Sequence, residues 1–69
     1  MDYKTIRVTR EDGYAVVMLN RPHEMNALSR EMKSELVDCF TSLEDDDAVR
    51  AVILTGGDYV FSAGMDLKE

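Results

Sequence analysis

The sequence predicts an α/β fold made of a hairpin, one amphipathic helix and a parallel strand. Three patterns carry that expectation. Two strand-like segments flank Asp12-Gly13, a helical stripe of apolar residues starts at Met32, and a strongly apolar run covers Val49 to Leu54. Strand, helix and strand in this order specify a right-handed βαβ crossover with two parallel strands.

The elements follow in turn. Residues 4–10 alternate, with Thr5, Arg7 and Thr9 on one side and Ile6 and Val8 on the other. A period of two marks a half-buried edge strand. Asp12-Gly13 then makes a tight turn, because glycine accepts the positive φ that such a turn needs. Tyr14 to Leu19 is apolar without a break and is expected to be a strand covered on both faces. Asn20-Arg21-Pro22 ends it, since Pro22 has no N–H to give to a ladder. Ser29 is the expected N-cap of the helix, with Glu31 placed favourably in the first turn. Met32, Leu36, Cys39, Phe40 and Leu43 share one face, while Arg30, Lys33, Glu35 and Asp38 lie off it. Four carboxylates, Glu44 to Asp47, oppose the negative end of the helix dipole and predict its stop. Gly56-Gly57 turns the chain after the Val49-to-Leu54 strand. A further helix is expected to start at Asp66, so the chain reaches Glu69 just as an element begins.

Composition narrows the function. The 69 residues are 45% apolar and 32% charged, which fits neither a disordered tail nor a fibrous chain. Eight Lys and Arg against fourteen Asp and Glu leave a net charge of −6. Residues 1–34 carry +1 and residues 35–69 carry −7. Without a basic face, binding to nucleic acid or to an anionic membrane surface is not expected. One Cys and one His form neither an internal disulfide nor a four-ligand zinc site. The longest apolar run is far shorter than the ~20 residues of a membrane span, and the start lacks the apolar core of a signal peptide. A reducing, cytoplasmic setting fits best.

Two loops could carry chemistry. Asp58 to Glu69 has small residues at Ser62-Ala63-Gly64 opening onto the helix start at Asp66. No Lys follows Gly64, and the G-x-G-x-x-G fingerprint is missing, so neither nucleotide motif applies. A helix start presents unpaired N–H groups that suit an oxyanion or a thioester oxygen; a loop with no ligand fits the same residues. Asn20 to Leu28 lies at the carboxyl end of a buried strand, where α/β sheets place ligands. Within it, His23 reads as a solvated loop histidine, Arg21 as a surface charge and Asn26 as a side-chain tie for loop backbone. Cys39 reads as a small core residue and not as a nucleophile. Glu44 to Asp47 lack the spacing, glycine and closing Glu of a calcium loop.

Four strings, taken together, resemble the enoyl-CoA hydratase/isomerase (crotonase) superfamily. They are Val17-Met18-Leu19-Asn20-Arg21-Pro22, Asn26-Ala27-Leu28, the run from Val49 to Gly56, and Phe61-Ser62-Ala63-Gly64-Met65-Asp66-Leu67. Their order and spacing match across nearly the whole chain, but only over the N-terminal part of that family's catalytic domain. The resemblance therefore implies a crotonase-like fold, a superhelix of ββα turns, of which residues 1–69 are an incomplete piece. It implies acyl-CoA chemistry, in which an enolate-like oxyanion forms: hydration of a trans-2-enoyl-CoA to the 3-hydroxyacyl-CoA by default, with double-bond isomerisation, thioester hydrolysis, decarboxylation and dehalogenation left open because they differ in residues outside these 69. It also implies that Met65 gives its backbone N–H to the thioester oxygen. Ala27 and Ala63 resemble the walls around the adenine and pantetheine of CoA, with Gly64, Asp66 and Leu67 beside them. Lys68 resembles a position that reaches the CoA phosphates. Met65 is bulkier than the small residue that many hydratases have there.

In the same family the second N–H donor and the acid/base carboxylates come later in the chain. None of Glu11, Glu24, Glu31, Glu35, Glu44 or Glu69 matches those positions. The 69 residues alone are thus expected to be inactive. The full-length enzyme is expected to need no cofactor or metal, the CoA thioester being substrate, and to assemble as a homo-oligomer, a trimer or hexamer. The rival reading is a non-catalytic module that binds CoA or completes an assembly.

Overall fold

A computed structural model of the chain describes residues 3–57, 60–62 and 64. Strand β1 (Ile6–Arg10) pairs antiparallel with β2 (Tyr14–Leu19), and helix α1 (Arg30–Glu44) follows. Strand β3 (Ala51–Thr55) then pairs parallel with β2, giving the sheet order β1-β2-β3. Across Asp12-Gly13 the Glu11 N–H donates to Tyr14 O at 2.8 Å, with Gly13 at φ +86°. Gly13 O in turn accepts from Arg50 N at 2.9 Å, which fixes the start of β3 to the hairpin tip.

The register places Ile6 opposite Leu19 and Val8 opposite Val17, so one face of the hairpin is apolar. That face carries α1. Ile6, Ala15, Val17 and Leu19 are buried against Met32, Cys39 and Leu43, and Leu28 and Leu36 pack at the margin. Ser29 caps the helix: its Oγ accepts from Met32 N at 3.1 Å. The acidic run ends it. Asp46 N donates to Leu43 O at 3.1 Å, and Asp46 Oδ1 accepts from Ala48 N at 3.0 Å. Asp46 also pairs with Arg10 at the end of β1. The Ala48 N–H and then the Arg10 guanidinium hold its carboxyl below the usual range.

Three details differ from the sequence pattern. β2 is buried on its helix face only, with Val16 and Met18 half-buried on the other. β3 begins two residues later than its apolar run, because Val49 N is taken by Asp46 O at 3.0 Å in the turn. Its Val52, Ile53 and Leu54 remain 37%, 52% and 41% exposed. One helix cannot cover three strands, and the core residues of α1 gather over β1 and β2. Phe40, 37% exposed, faces a hollow of about 350 Å³ shared with Val49 and Val52 instead of the core.

A clamp invisible to periodicity joins the N-terminal segment to α1. Glu35 accepts from Lys4 N at 2.9 and 3.2 Å, from Thr5 N at 2.8 Å and from Thr5 Oγ1 at 2.7 Å. One turn on, the Tyr3 hydroxyl donates to Asp38 at 2.7 Å, and this bond pushes the Tyr3 pKa up to about 12. Desolvation works against the Glu35 carboxylate, but the bonds from Lys4 and Thr5 outweigh it and leave the pKa lowered.

A lowered folded-state pKa means the carboxylate stabilises the fold above the ordinary value of 4.5, with that stability lost as pH falls through the folded value. Glu35→Gln in the full-length protein should therefore cost ~1–3 kcal/mol at pH 7, the scale of a charged hydrogen bond. Thermal melts of variant and wild type should converge towards pH 3; a pH-independent gap would contradict the clamp. Cys39 is buried, and burial followed by the Asp38 charge pushes its thiol pKa up. It should label slowly with a thiol reagent in the folded protein and quickly after denaturation, and equal rates would place it outside the core.

Candidate functional site

The loop after β2 is built by its own backbone. Asn20 N donates to Thr5 O at 2.8 Å, which extends the hairpin by one bond. Pro22–Glu24 form a 3-10 turn, with Met25 N donating to Pro22 O at 3.2 Å and Asn26 N to Arg21 O at 2.8 Å. Met25 and Asn26 both take the left-handed conformation, at φ 53° and 55°. Asparagine tolerates that region better than other side-chain-bearing residues. His23 and Glu24 are exposed on the turn. Arg21 Nη1 donates to Ala27 O, and Ala27 N to Glu24 O at 2.9 Å, so Ala27 is held from both sides.

Asn26 is only 3% exposed, and its amide is spent in two directions. Oδ1 accepts from Arg21 N at 2.7 Å within its own loop. Nδ2 donates to Gly56 O at 2.9 Å and to Val60 O at 3.0 Å, in the loop after β3. An amide nitrogen facing two carbonyls and an amide oxygen facing an N–H leave one orientation for the group. Two more bonds run between the loops. Ser62 Oγ donates to Asn26 O at 2.8 Å, and Leu28 N donates to Gly64 O at 2.7 Å. Gly64 sits at φ +98°, a value side chains rarely adopt, and its N–H donates to Ser62 Oγ at 3.0 Å.

The joint lies at the carboxyl ends of β2 and β3. Beside it is a hollow of about 300 Å³ lined by Pro22, Met25, Asn26, Gly56 and Val60. Gly56 is there for space: a Cβ on it would overlap Val60 O and the Phe61 Cα. Of the residues the sequence singles out, Ala27 and Gly64 are brought to this joint. Ala63, Met65, Asp66, Leu67 and Lys68, with the expected helix start, lie outside the described residues. The N–H groups of Ala27, Leu28 and Gly64 are all taken by internal bonds. None of those three is left to meet a ligand oxygen. Among the described residues no group of three His, Cys, Asp or Glu is placed to hold a metal ion, and no helix is long and apolar enough to cross a membrane. Sequence reasoning finds the Asn26 tie but not its partners; the αL-prone Asn and the doubled glycine at 56–57 are the available signals.

Gly56→Ala should cost ~1–3 kcal/mol or more, since the overlap is with backbone and no rotamer can relieve it. Circular dichroism melts of the full-length protein check this, and a Tm within a degree of wild type would contradict the close approach.

Comparison with known proteins puts this joint in context. A family model described as enoyl-CoA hydratase/isomerase matches residues 9–69. A hydroxycinnamoyl-CoA hydratase-lyase of Pseudomonas fluorescens is 46% identical over 67 residues, covering 97% of this chain and 24% of that protein. A 4-chlorobenzoyl coenzyme A dehalogenase of an Arthrobacter species is 44% identical over 64 residues, covering 93% of this chain and 23% of its own length. The crystal structure of an enoyl-CoA hydratase/isomerase from Xanthobacter autotrophicus Py2 superposes with a TM-score of 0.93 at 40% identity, covering 97% of this chain and 25% of that one. The chain thus spans about a quarter of the length of the relatives it matches.

Proposed function

Since the chain belongs to the enoyl-CoA hydratase/isomerase family and has the N-terminal portion of the crotonase fold, we propose that it forms part of an enzyme hydrating a trans-2-enoyl-CoA to the 3-hydroxyacyl-CoA. The observation that carries this reading is the joint itself. Two loops at the strand ends are locked through Asn26, and the locked segment ends at Gly64 with its own N–H spent. The next N–H in the chain belongs to Met65. In this reading it meets the thioester oxygen and stabilises the negative charge that builds there as water adds to the double bond. Ala27 and Ala63, with Gly64, Asp66 and Leu67, line the CoA path, and Lys68 reaches towards its phosphates. The second donor and the carboxylates that move the protons come from later in the polypeptide. No cofactor or metal enters: CoA arrives with the substrate. The full-length protein works as a cytoplasmic homo-oligomer, a trimer or hexamer.

Hydration is preferred because the 46% relative is named a hydratase-lyase and the superposed structure a hydratase/isomerase. Identity in this quarter does not select the reaction, as the 44% dehalogenase makes plain. The decisive measurement is turnover of trans-2-enoyl-CoA by the full-length protein, read as loss of the enoyl absorbance. CoA binding without turnover of any acyl-CoA would favour the non-catalytic module.

The donor is tested separately. Met65→Ala should keep most of kcat and change chiefly the acyl-length preference, because a backbone donor acts through its hydrogen. Met65→Pro removes that hydrogen and should cost ~10²–10³ in kcat, with a much smaller loss of CoA affinity. A folded proline variant that binds CoA and turns over within a few-fold of wild type would show that Met65 is not the donor.

A further inference from the structure

We infer that Asn26 is a positioning residue for catalysis, holding the Ser62–Gly64 segment, and through it the next residue's N–H, in register with the loop that walls the CoA. This rests on the proposed acyl-CoA chemistry and goes beyond it by naming what sets the donor's place. The side chain of Asn26 reaches both loops and is buried to 97% of its residue surface, as its 3% exposure requires. Its two amide hydrogens hold Gly56 O and Val60 O, the start and middle of the second loop. Its main-chain oxygen holds Ser62 Oγ, which in turn receives the Gly64 N–H. One residue therefore fixes the second loop at three points along its length, while its Oδ1 fixes it to its own loop at Arg21 N.

The chemistry gives this tie a specific consequence. Stabilisation of an oxyanion depends on a donor already in place, and a shift of about 1 Å can cost ~10²-fold in rate. Ground-state binding of CoA draws on many contacts along a long ligand and is less sensitive to one N–H. Loosening the tie should therefore lower kcat far more than it weakens CoA binding. A residue that merely stabilised the fold would reduce both together, through the fraction folded.

Asn26→Asp separates the two directions of the tie. Aspartate keeps the shape, the tolerance of positive φ and the acceptor for Arg21 N, but it removes both donors to the second loop and sets a carboxylate against two carbonyls. Asn26→Gly is the companion variant, relaxed at positive φ and lacking all three side-chain bonds, and it serves if the aspartate variant does not fold. In the full-length protein we expect kcat on trans-2-enoyl-CoA to fall ~10–10²-fold in either variant, with the CoA dissociation constant within about three-fold of wild type. Hydrogen exchange at the Gly64 amide should quicken in both. A folded variant with kcat within about three-fold of wild type and unchanged Gly64 exchange would overturn the inference. If wild type binds CoA but does not hydrate the enoyl substrate, the hydration reading fails on its own. The exchange at Gly64 then decides: protection lost in the variants supports the tie, and protection unchanged overturns it.

Discussion

A single buried carboxamide stands between two loops that are thirty residues apart in sequence. The Asn26 Nδ2 group donates to Gly56 O and Val60 O, and without those two carbonyls the buried amide would be left unpaired. Losing a partner for a buried polar group costs about 1–3 kcal/mol, more than the bond contributes when made, so the loops are held less by attraction than by the penalty of parting. Everything else at the strand ends is arranged around this. The 3-10 turn at Pro22–Glu24 and the two left-handed residues after it bring the amide inward. Gly56 lacks a Cβ so that residues 60 and 61 can come close. The Ser62 hydroxyl accepts one N–H and donates to one carbonyl, passing the constraint on to Gly64.

The hairpin supports that joint from the other side. Glu35 orders Lys4 and Thr5, and Thr5 O then accepts from Asn20 N, the first bond of the loop after β2. Helix α1 therefore contributes twice within its N-terminal half: Ser29 caps it directly after the loop, and Glu35 steadies the strand pair from which the loop departs. The fold and the joint share their anchors.

How much of this was legible depends on range. The hairpin, the Ser29 cap, the helical stripe and the acidic stop are local patterns, written in neighbours two to four residues apart, and each appears where its chemistry places it. β2 and β3 pair in parallel as a strand–helix–strand order demands. Burial was less legible, because it depends on what lies opposite. Periodicity puts Phe40 on the same stripe as Met32 and Cys39, yet Phe40 stays 37% exposed and lines the hollow beside β3. The clamp at Glu35 was unreadable for another reason: a polar residue off the apolar stripe looks solvated until the segment it holds is known. Asn26 falls in between. Its residue type announces a backbone tie, but a tie to carbonyls at 56 and 60 needs the third dimension.

The placement of the acidic run settles a question that the net charge alone leaves open. Glu44 to Asp47 close α1 beside the Arg10 end of β1, and the hairpin carboxylates Glu11 and Asp12 share a hollow with Asp47 at the start of β3. These groups sit at the amino ends of β2 and β3, and the loop joint sits at the carboxyl ends. A strand of five or six residues separates the two by about 17–20 Å. At physiological ionic strength the Debye length is about 8 Å, so the potential of the acidic end has decayed by two screening lengths before it reaches the joint. The formal charge of −6 therefore overstates what these acidic groups impose on the loop joint. Among the described residues, the loop after β2 carries one charge of each sign, on Arg21 and Glu24.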